Sequence, residues 1–371
     1  MAEIDYRFYA DEDSYSDGDE IEARIMKYVS ENPSEEYSSV IMDDPEFAVF
    51  YHLSDARQSL MNWYDFIPGS DILEIGAGLG ALTGLLCEKC GQVFSVELTK
   101  RRAEIIRQRF QNKENLHIMV GDFTKMEFDR KFDYITVIGV LEHQSAISSE
   151  PDAHLSFLKK LKPLLKPNGK ILIAIENRFG LKYWCGEVDD HTGIPFGSIR
   201  QNNYENCART FDRATLQNML KQAGFPFQKF FYPMPDYKFP RVIYSDNFLP
   251  KEDVHSCVLP IHYSNFYSYQ PLVAEEEKLY HYISSNGVFP FFANSFFVEA
   301  SECEDELSGI DFASVTVERE KKYRQIIRLN HSTFEKYAVS SAGKKHIRHM
   351  HENLLRLQER GYHIIDETLE D

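Results

Sequence analysis

The sequence predicts an α/β protein: an open, mostly parallel sheet with helices on both faces, followed by a separate C-terminal α+β region. Three observations carry this expectation. Short apolar runs alternate with amphipathic stretches from Asp71 to Glu176, a βαβαβ succession. A glycine-rich turn, Gly76-Ala77-Gly78-Leu79-Gly80, follows the first strand-like run and opens a helical one. After Pro250 the regular alternation stops, which divides the chain into residues 1–45, 46–250 and 251–371.

Residues 1–20 are acidic and nearly free of periodicity, and are expected to be a disordered tail. Residues 19–30 place Ile21, Ile25 and Val29 on one helical face. Ser54 is an N-cap candidate for a helix reaching Trp63 or Tyr64, which Pro68-Gly69-Ser70 ends. Strands are expected at 72–75, 93–96, 116–120, 134–140 and 170–176, the fourth rich in β-branched residues suited to a buried parallel position. Helices are expected at 81–86, 100–111 and 152–165. A long connection runs from Asn177 to Cys207, and long connections in compact domains are often functional. Asp212 caps a further helix that Gly224 ends, and strands are expected at 227–232 and 241–244. Residues 288–299 and 312–329 read as β-structure, and 341–358 as one amphipathic helix.

Composition narrows the function. The formal net charge is −17, and residues 1–50 hold 15 acids against three bases. The remaining 43 acids against 38 bases give no basic excess of the kind duplex nucleic acid attracts, so no nucleic-acid partner is expected. No apolar run has the ~18 residues a membrane span needs, and the acidic N-terminus is unlike a secretory signal, so a cytoplasmic location is expected. The six cysteines are then reduced. Cys87-Glu-Lys-Cys90 has no second pair at metal spacing and is read as two small residues packed under a sheet, so no metal is expected.

The chemistry is carried by Asp71-Ile-Leu-Glu74-Ile-Gly76-Ala77-Gly78-Leu-Gly80. Glycines there let a backbone turn tightly and approach a ligand with no Cβ in the way. Glu97-Leu98 ends the next strand, where a carboxylate can accept from both hydroxyls of an adenosine ribose. Gly121-Asp122-Phe123 ends the third, where a short acid and an aromatic ring can bracket an adenine. A dinucleotide fold usually shows G-x-G-x-x-G, and counted from Gly76 the third glycine is absent, its position holding Ala81.

Residues 71–176, through LEIGAGLGALT, VFSVELT, VGDF, FDYITVIGVLEH and LLKPNGKILIAIEN, resemble the class I S-adenosylmethionine-dependent methyltransferases. The resemblance implies a Rossmann-like seven-stranded sheet and S-adenosyl-L-methionine as cofactor. It places Glu74, Gly76, Ala77, Gly78, Gly80, Glu97, Leu98, Gly121, Asp122, Phe123 and Gly139 about that cofactor, with Tyr51 and Arg57 closing over it from the preceding segment. A narrower resemblance, through YHLSDARQSL, IENRFGLKYWCG, DDHTG and YPMPDYKFPRVIYSDNFLP, is to bacterial methyltransferases found with or fused to glycosyltransferases of surface-polysaccharide assembly. It implies a sugar or glycan hydroxyl as acceptor, and a homodimer or a glycosyltransferase as partner. GAGLGALT, VEL and NLHIMVGDF also resemble the ribosomal RNA adenine dimethyltransferases. Those enzymes carry an Asn-Pro-Pro-Tyr-like motif after strand four, where this chain reads Gly139-Val-Leu-Glu142-His143.

A hydroxyl acceptor calls for a general base. His143 is the first candidate, because it follows strand four at the carboxyl edge of the sheet, where open α/β folds bind ligands. Asp190 and His191, in the long loop after strand five, are the second. Tyr183 and Trp184 nearby are candidates to stack on a sugar face.

Overall fold

The computed structural model describes residues 2–10, 16–32, 36–147, 152–201, 207–251, 273–317, 319–362 and 367–369. Its centre is one sheet of twelve strands: β1 (Glu3–Phe8), β2 (Asp71–Ile75), β3 (Gln92–Glu97), β4 (Leu116–Gly121), β5 (Phe132–Ile138), β6 (Leu165–Glu176), β7 (Phe227–Met234), β8 (Val242–Ser245), β9 (Ser295–Ser301), β10 (Ile310–Val315), β11 (Ile326–Asn330) and β12 (Thr333–Tyr337). The spatial order is β1-β4-β3-β2-β5-β6-β9-β7-β8-β10-β11-β12. The first six strands in that order pair in parallel, and every pair from β6–β9 onward is antiparallel.

Side-chain alternation explains why the central strands are continuously apolar. Along β6, Ile171, Ile173 and Ile175 enter one core, and Leu172 and Ala174 enter another on the opposite face. β2 divides likewise, with Ile72 on one face and Leu73 and Ile75 on the other. Helices Thr83–Lys89, Lys100–Arg109, Ala153–Leu161 and Arg213–Gln222 cover these faces. Asp212 caps the last of them, accepting from the Thr215 N–H at 3.0 Å. Cys87 and Cys90 are both buried in the core that β2 and β3 share. Cys257 lies outside the described residues.

Five expectations need correction. The expected boundary at residue 250 is crossed by the sheet: β9 lies antiparallel between β6 and β7, from Lys170↔Ser301 to Glu176↔Ser295. Its apolar run Phe296-Phe297-Val298 can be read as a strand from sequence, but its partners stand about a hundred residues earlier. The seven expected strands accordingly become part of twelve.

The acidic N-terminus is not wholly a loose tail. Residues 3–8 form β1 along β4, and the helix Asp19–Glu31 buries Ile25 and Val29 against Val49, Leu53, Leu79 and Ile105. The acids are seated on cations: Glu22 on Arg102 at 2.8 Å, Asp19 on Arg101 at 2.5 Å, and Asp17 on Arg102 at 2.8 Å. Ser54 does cap, accepting from the Ala56 N–H at 3.2 Å, but the helix it opens is a 3₁₀ helix ending at Leu60. Residues 288–299 hold the short helix Phe289–Phe292 before β9 begins.

Candidate active site

A cavity of about 410 Å³ opens at the carboxyl edge of β2, β3 and β5, within the range of roughly 300–1,000 Å³ usual for small-molecule sites. Its walls include Glu74, Gly76, Ala77, Gly78, Glu97, Leu98, Gly139, His143, Tyr51 and Arg57, all expected from sequence. They also include Asp17, His52, Arg102 and Thr136, which were not.

The glycine turn is built by β2 running into the sheet edge. Gly76 has φ +76, and a Cβ there would stand 2.3 Å from Val140 Cγ2, so both conformation and space require glycine. The Gly76 and Ala77 N–H groups donate to the Val96 carbonyl at 2.9 and 3.0 Å, tying the turn to β3. Glu97, ending β3, is 3% exposed. Its Oε2 accepts from the Gly78 N–H at 2.8 Å and its Oε1 from the Thr99 N–H at 3.0 Å. Thr99 Oγ1 also donates to Oε1, at 3.4 Å, so of the carboxylate's roughly four acceptor sites one, on Oε2, remains for a ligand. Burial raises its pKa, against Arg102 and the two N–H donors.

Glu74 is buried beneath the turn, its Oε2 accepting from Thr83 Oγ1 at 2.7 Å and Ser95 Oγ at 2.6 Å. Burial pushes its pKa up to about 7 despite those donors. Thr136 Oγ1 is buried in the cavity wall and has no hydrogen-bond partner among the described residues. Arg57 is 2% exposed. It donates to the Tyr237 and Lys238 carbonyls at 2.7 and 2.9 Å and to Tyr51 Oη at 3.2 Å, and its Nε is buried without a partner among the described residues.

Asp17 closes one side. Its Oδ2 meets His52 Nε2 at 2.9 Å and Arg102 Nη2 at 2.8 Å. The acidic segment thereby becomes part of the cavity wall.

Gly80, Gly121, Asp122 and Phe123 are not among the cavity walls. A Cβ on Gly121 would stand 2.2 Å from the Phe8 carbonyl oxygen, so the close approach of β1 explains this glycine. Asp122 caps the turn after β4 by accepting from the Thr124 N–H at 2.8 Å, and Phe123 packs edge-to-face on Phe157 in the core.

His143 reaches the cavity from the short 3₁₀ helix after β5. Burial, helped by His191, lowers its pKa to about 4, so the imidazole is neutral at working pH and a weaker base than a free one. Asp190 and His191 are not cavity walls but stand behind it. The His191 ring lies 5.1 Å from that of His143. Asp190 is held by Lys182 at 2.8 Å, by Lys238 at 3.3 Å and by the Tyr183 hydroxyl. Burial alone would raise its pKa, but the two ammonium groups hold it far below the usual carboxylate range. It is an anchored ion, poorly placed as a proton acceptor. Tyr183 is fully buried, so no sugar can stack on it, whereas Trp184 is partly exposed.

The remaining groups were missed because they meet only in three dimensions. Glu142 and Glu176 are both fully buried, at the ends of β5 and β6. Glu176 Oε1 accepts from Lys238 Nζ at 2.6 Å and Tyr237 Oη at 3.2 Å. Burial opposes its charge, but Lys238 and His191 keep its pKa well below the usual range. Burial and the Glu176 charge push Glu142 up to about 8. Burial opposes the charge on His191, yet Glu176 draws its pKa up to about 9. The available signal was the pair Glu142-His143 after a strand and an acid at the end of the next.

Residues 73–173 match the family model described as a methyltransferase domain. This segment is similar to a methyltransferase domain. Its cofactor is S-adenosylmethionine, and the cavity fits one: a carboxylate with an acceptor site to spare, an unpartnered buried hydroxyl and a turn in which a Cβ would collide. The chain is 35% identical over 63 residues to the ribosomal RNA small subunit methyltransferase A of Moorella thermoacetica, covering 17% of this chain and 22% of that protein. It is 28% identical over 120 residues to the demethylmenaquinone methyltransferase of Staphylococcus epidermidis, covering 31% and 47%. The chain thus spans less than half the length of these curated relatives. Among solved structures, an S-adenosylmethionine-dependent methyltransferase of Thermotoga maritima is similar at 16% identity and a TM-score of 0.40, covering 75% of this chain and 100% of that one. Among the described residues, no helix is long and apolar enough to cross a membrane.

Proposed function

We propose that the chain is an S-adenosylmethionine-dependent methyltransferase that methylates an oxygen of a small polyhydroxylated acceptor, of the sugar or glycan-precursor class. The observation carrying this reading is His143: a neutral imidazole on the wall of the cofactor cavity, at the carboxyl edge of the sheet. Glu97 would hold the ribose diol, Glu74 would face the cationic methionine end, and Arg57 Nε would meet the carboxylate. Bound there, the cofactor supplies a methyl group on a positively charged sulfur, so the carbon–sulfur pair leaves on sulfur as the acceptor's oxygen–carbon bond forms. No leaving-group charge needs stabilising. The chain's tasks are to align the acceptor, exclude water and take up the hydroxyl proton, the last falling to the His143 imidazole.

The narrower resemblance to methyltransferases of polysaccharide loci supports a sugar acceptor, with a glycosyltransferase or a second copy as partner. The buried acids and lysines behind His143 offer the hydrogen-bonding groups that polyols require. The test is S-adenosylhomocysteine release with a panel of sugar nucleotides, free sugars, phenols and short RNA. Turnover with a sugar and none with RNA is expected. RNA as the sole acceptor overturns the proposed acceptor, and binding of cofactor with no turnover on any acceptor favours a scaffold.

A further inference from the structure

We infer that Glu142, Glu176 and His191 form a site for one divalent metal cation immediately behind the cofactor cavity, resting on the reading of the chain as an oxygen-directed methyltransferase. One ligand atom from each of the three residues can be chosen so that all lie within 4.8 Å of one another. They come from three places: the turn after β5, the end of β6 and the long loop beyond it.

Two features separate this cluster from a chance meeting of acids. The first is its unmet bonding capacity. Glu142 is fully buried, and neither of its carboxylate oxygens has a hydrogen-bond partner among the described residues. Glu176 Oε2 and His191 Nε2 have no hydrogen bond among the described residues and meet only as an ion pair at 3.5 Å, while Glu176 Oε1 is occupied by Lys238. Buried carboxylate oxygens are costly to leave unpaired, and a cation satisfies several at once. The second is the crowding of acids: Glu142, Glu176, Asp190 and Asp236 share one largely buried network with Lys182, Lys238 and His191.

The donor set, two oxygens and one imidazole nitrogen, suits Mn²⁺ and its neighbours better than Ca²⁺, which prefers an all-oxygen shell. Three protein ligands leave coordination positions open. The cluster lies close to the cavity: a Cβ placed on Gly139, a wall residue, would stand 3.6 Å from Glu142 Oε1. An acceptor hydroxyl bound to the ion would ionise at lower cost and pass its proton to His143, whose ring is 5.1 Å from that of His191. A second acceptor oxygen on the same ion would fix the acceptor's orientation, which favours a vicinal diol.

The test is titration of Mn²⁺ into the chelator-stripped full chain, following loss of the free-ion electron paramagnetic resonance signal. One site per chain below about 1 mM is expected, with affinity weakened at least about tenfold in Glu142→Gln. His191→Ala provides the same test should Glu142→Gln not fold. S-adenosylhomocysteine affinity, measured in parallel, should stay within about twofold in both variants, since neither residue lines the cofactor cavity. Absence of stoichiometric binding, or equal Mn²⁺ affinity in wild type and a folded variant, overturns the site. Failure of S-adenosylhomocysteine to bind the wild type would instead count against the methyltransferase reading and leave the metal result standing.

Discussion

Replacing Asp17 by Asn tests whether the acidic N-terminal segment is part of the cofactor cavity. Its carboxylate bridges His52 and Arg102, and Arg102 is 4% exposed. Arg102 keeps Glu22 at 2.8 Å, so the substitution weakens a buried network without stripping the guanidinium of every acid. Hydrogen bonds to charged groups contribute about 1.5–3 kcal/mol each, and the amide of Asn retains part of that geometry. The expected loss is therefore about 1–2 kcal/mol, or roughly 2–5 °C in melting temperature for a chain of this size. The sign with pH is fixed by the same contacts. Burial would raise the Asp17 pKa, but His52 and Arg102 lower it below its ordinary 3.8. The stability it lends is thus present above that value and lost as pH falls through the lower folded value, so the gap between wild type and variant should close in acid. Thermal melts from pH 3 to 7, with S-adenosylhomocysteine affinity at pH 7, check this. Superimposable melts and equal affinity would refute the seating of the N-terminal segment.

Other substitutions probe the same cavity. Glu74, with a folded pKa of about 7 against an ordinary 4.5, lends stability that is complete below 4.5 and lost as pH rises through 7, about 3 kcal/mol in all. Glu74→Gln should remove this dependence, so its urea midpoint relative to wild type should rise between pH 5 and 8; parallel profiles would contradict it. Gly76→Ala puts a Cβ at φ +76 and 2.3 Å from Val140, and should cost about 1–3 kcal/mol in urea denaturation while weakening cofactor binding. His143→Ala should lower turnover about 10²–10⁴-fold with S-adenosylhomocysteine affinity little changed, as read by steady-state kinetics and calorimetry.

The parallel half of the sheet was legible because its signals are local. The runs at β2 to β6 are mostly apolar and end at turn residues, and the glycine turn and Glu97 belong to adjacent elements. What escaped depends on distant partners. β1 is a short strand in an acidic segment, and it is held by β4 more than a hundred residues later. β9 looks like any apolar strand, and nothing local says that it inserts between β6 and β7. Arg57 was read as closing over a ligand, but three of its hydrogen bonds go to Tyr51, Tyr237 and Lys238. Phe123 followed the pattern of an adenine-stacking ring, yet the aromatic core around Phe157 and Phe128 claims it. The buried acids behind His143 escaped because Glu142, Glu176 and His191 lie on separate elements, and each alone is an ordinary residue.

The central claim is that the cavity between the glycine turn and Glu97 holds S-adenosylmethionine. It is tested most directly by calorimetric titration of S-adenosylhomocysteine into the full chain and into Glu97→Ala. Glu97 supplies an acceptor site for a ribose diol while bonding the Gly78 and Thr99 N–H groups, so its loss removes charge-assisted bonds of about 1.5–3 kcal/mol each. The account predicts one site per chain in the wild type and at least a tenfold weaker one in a folded Glu97→Ala protein. Undiminished binding in that folded variant, or no binding to the wild type, would contradict it.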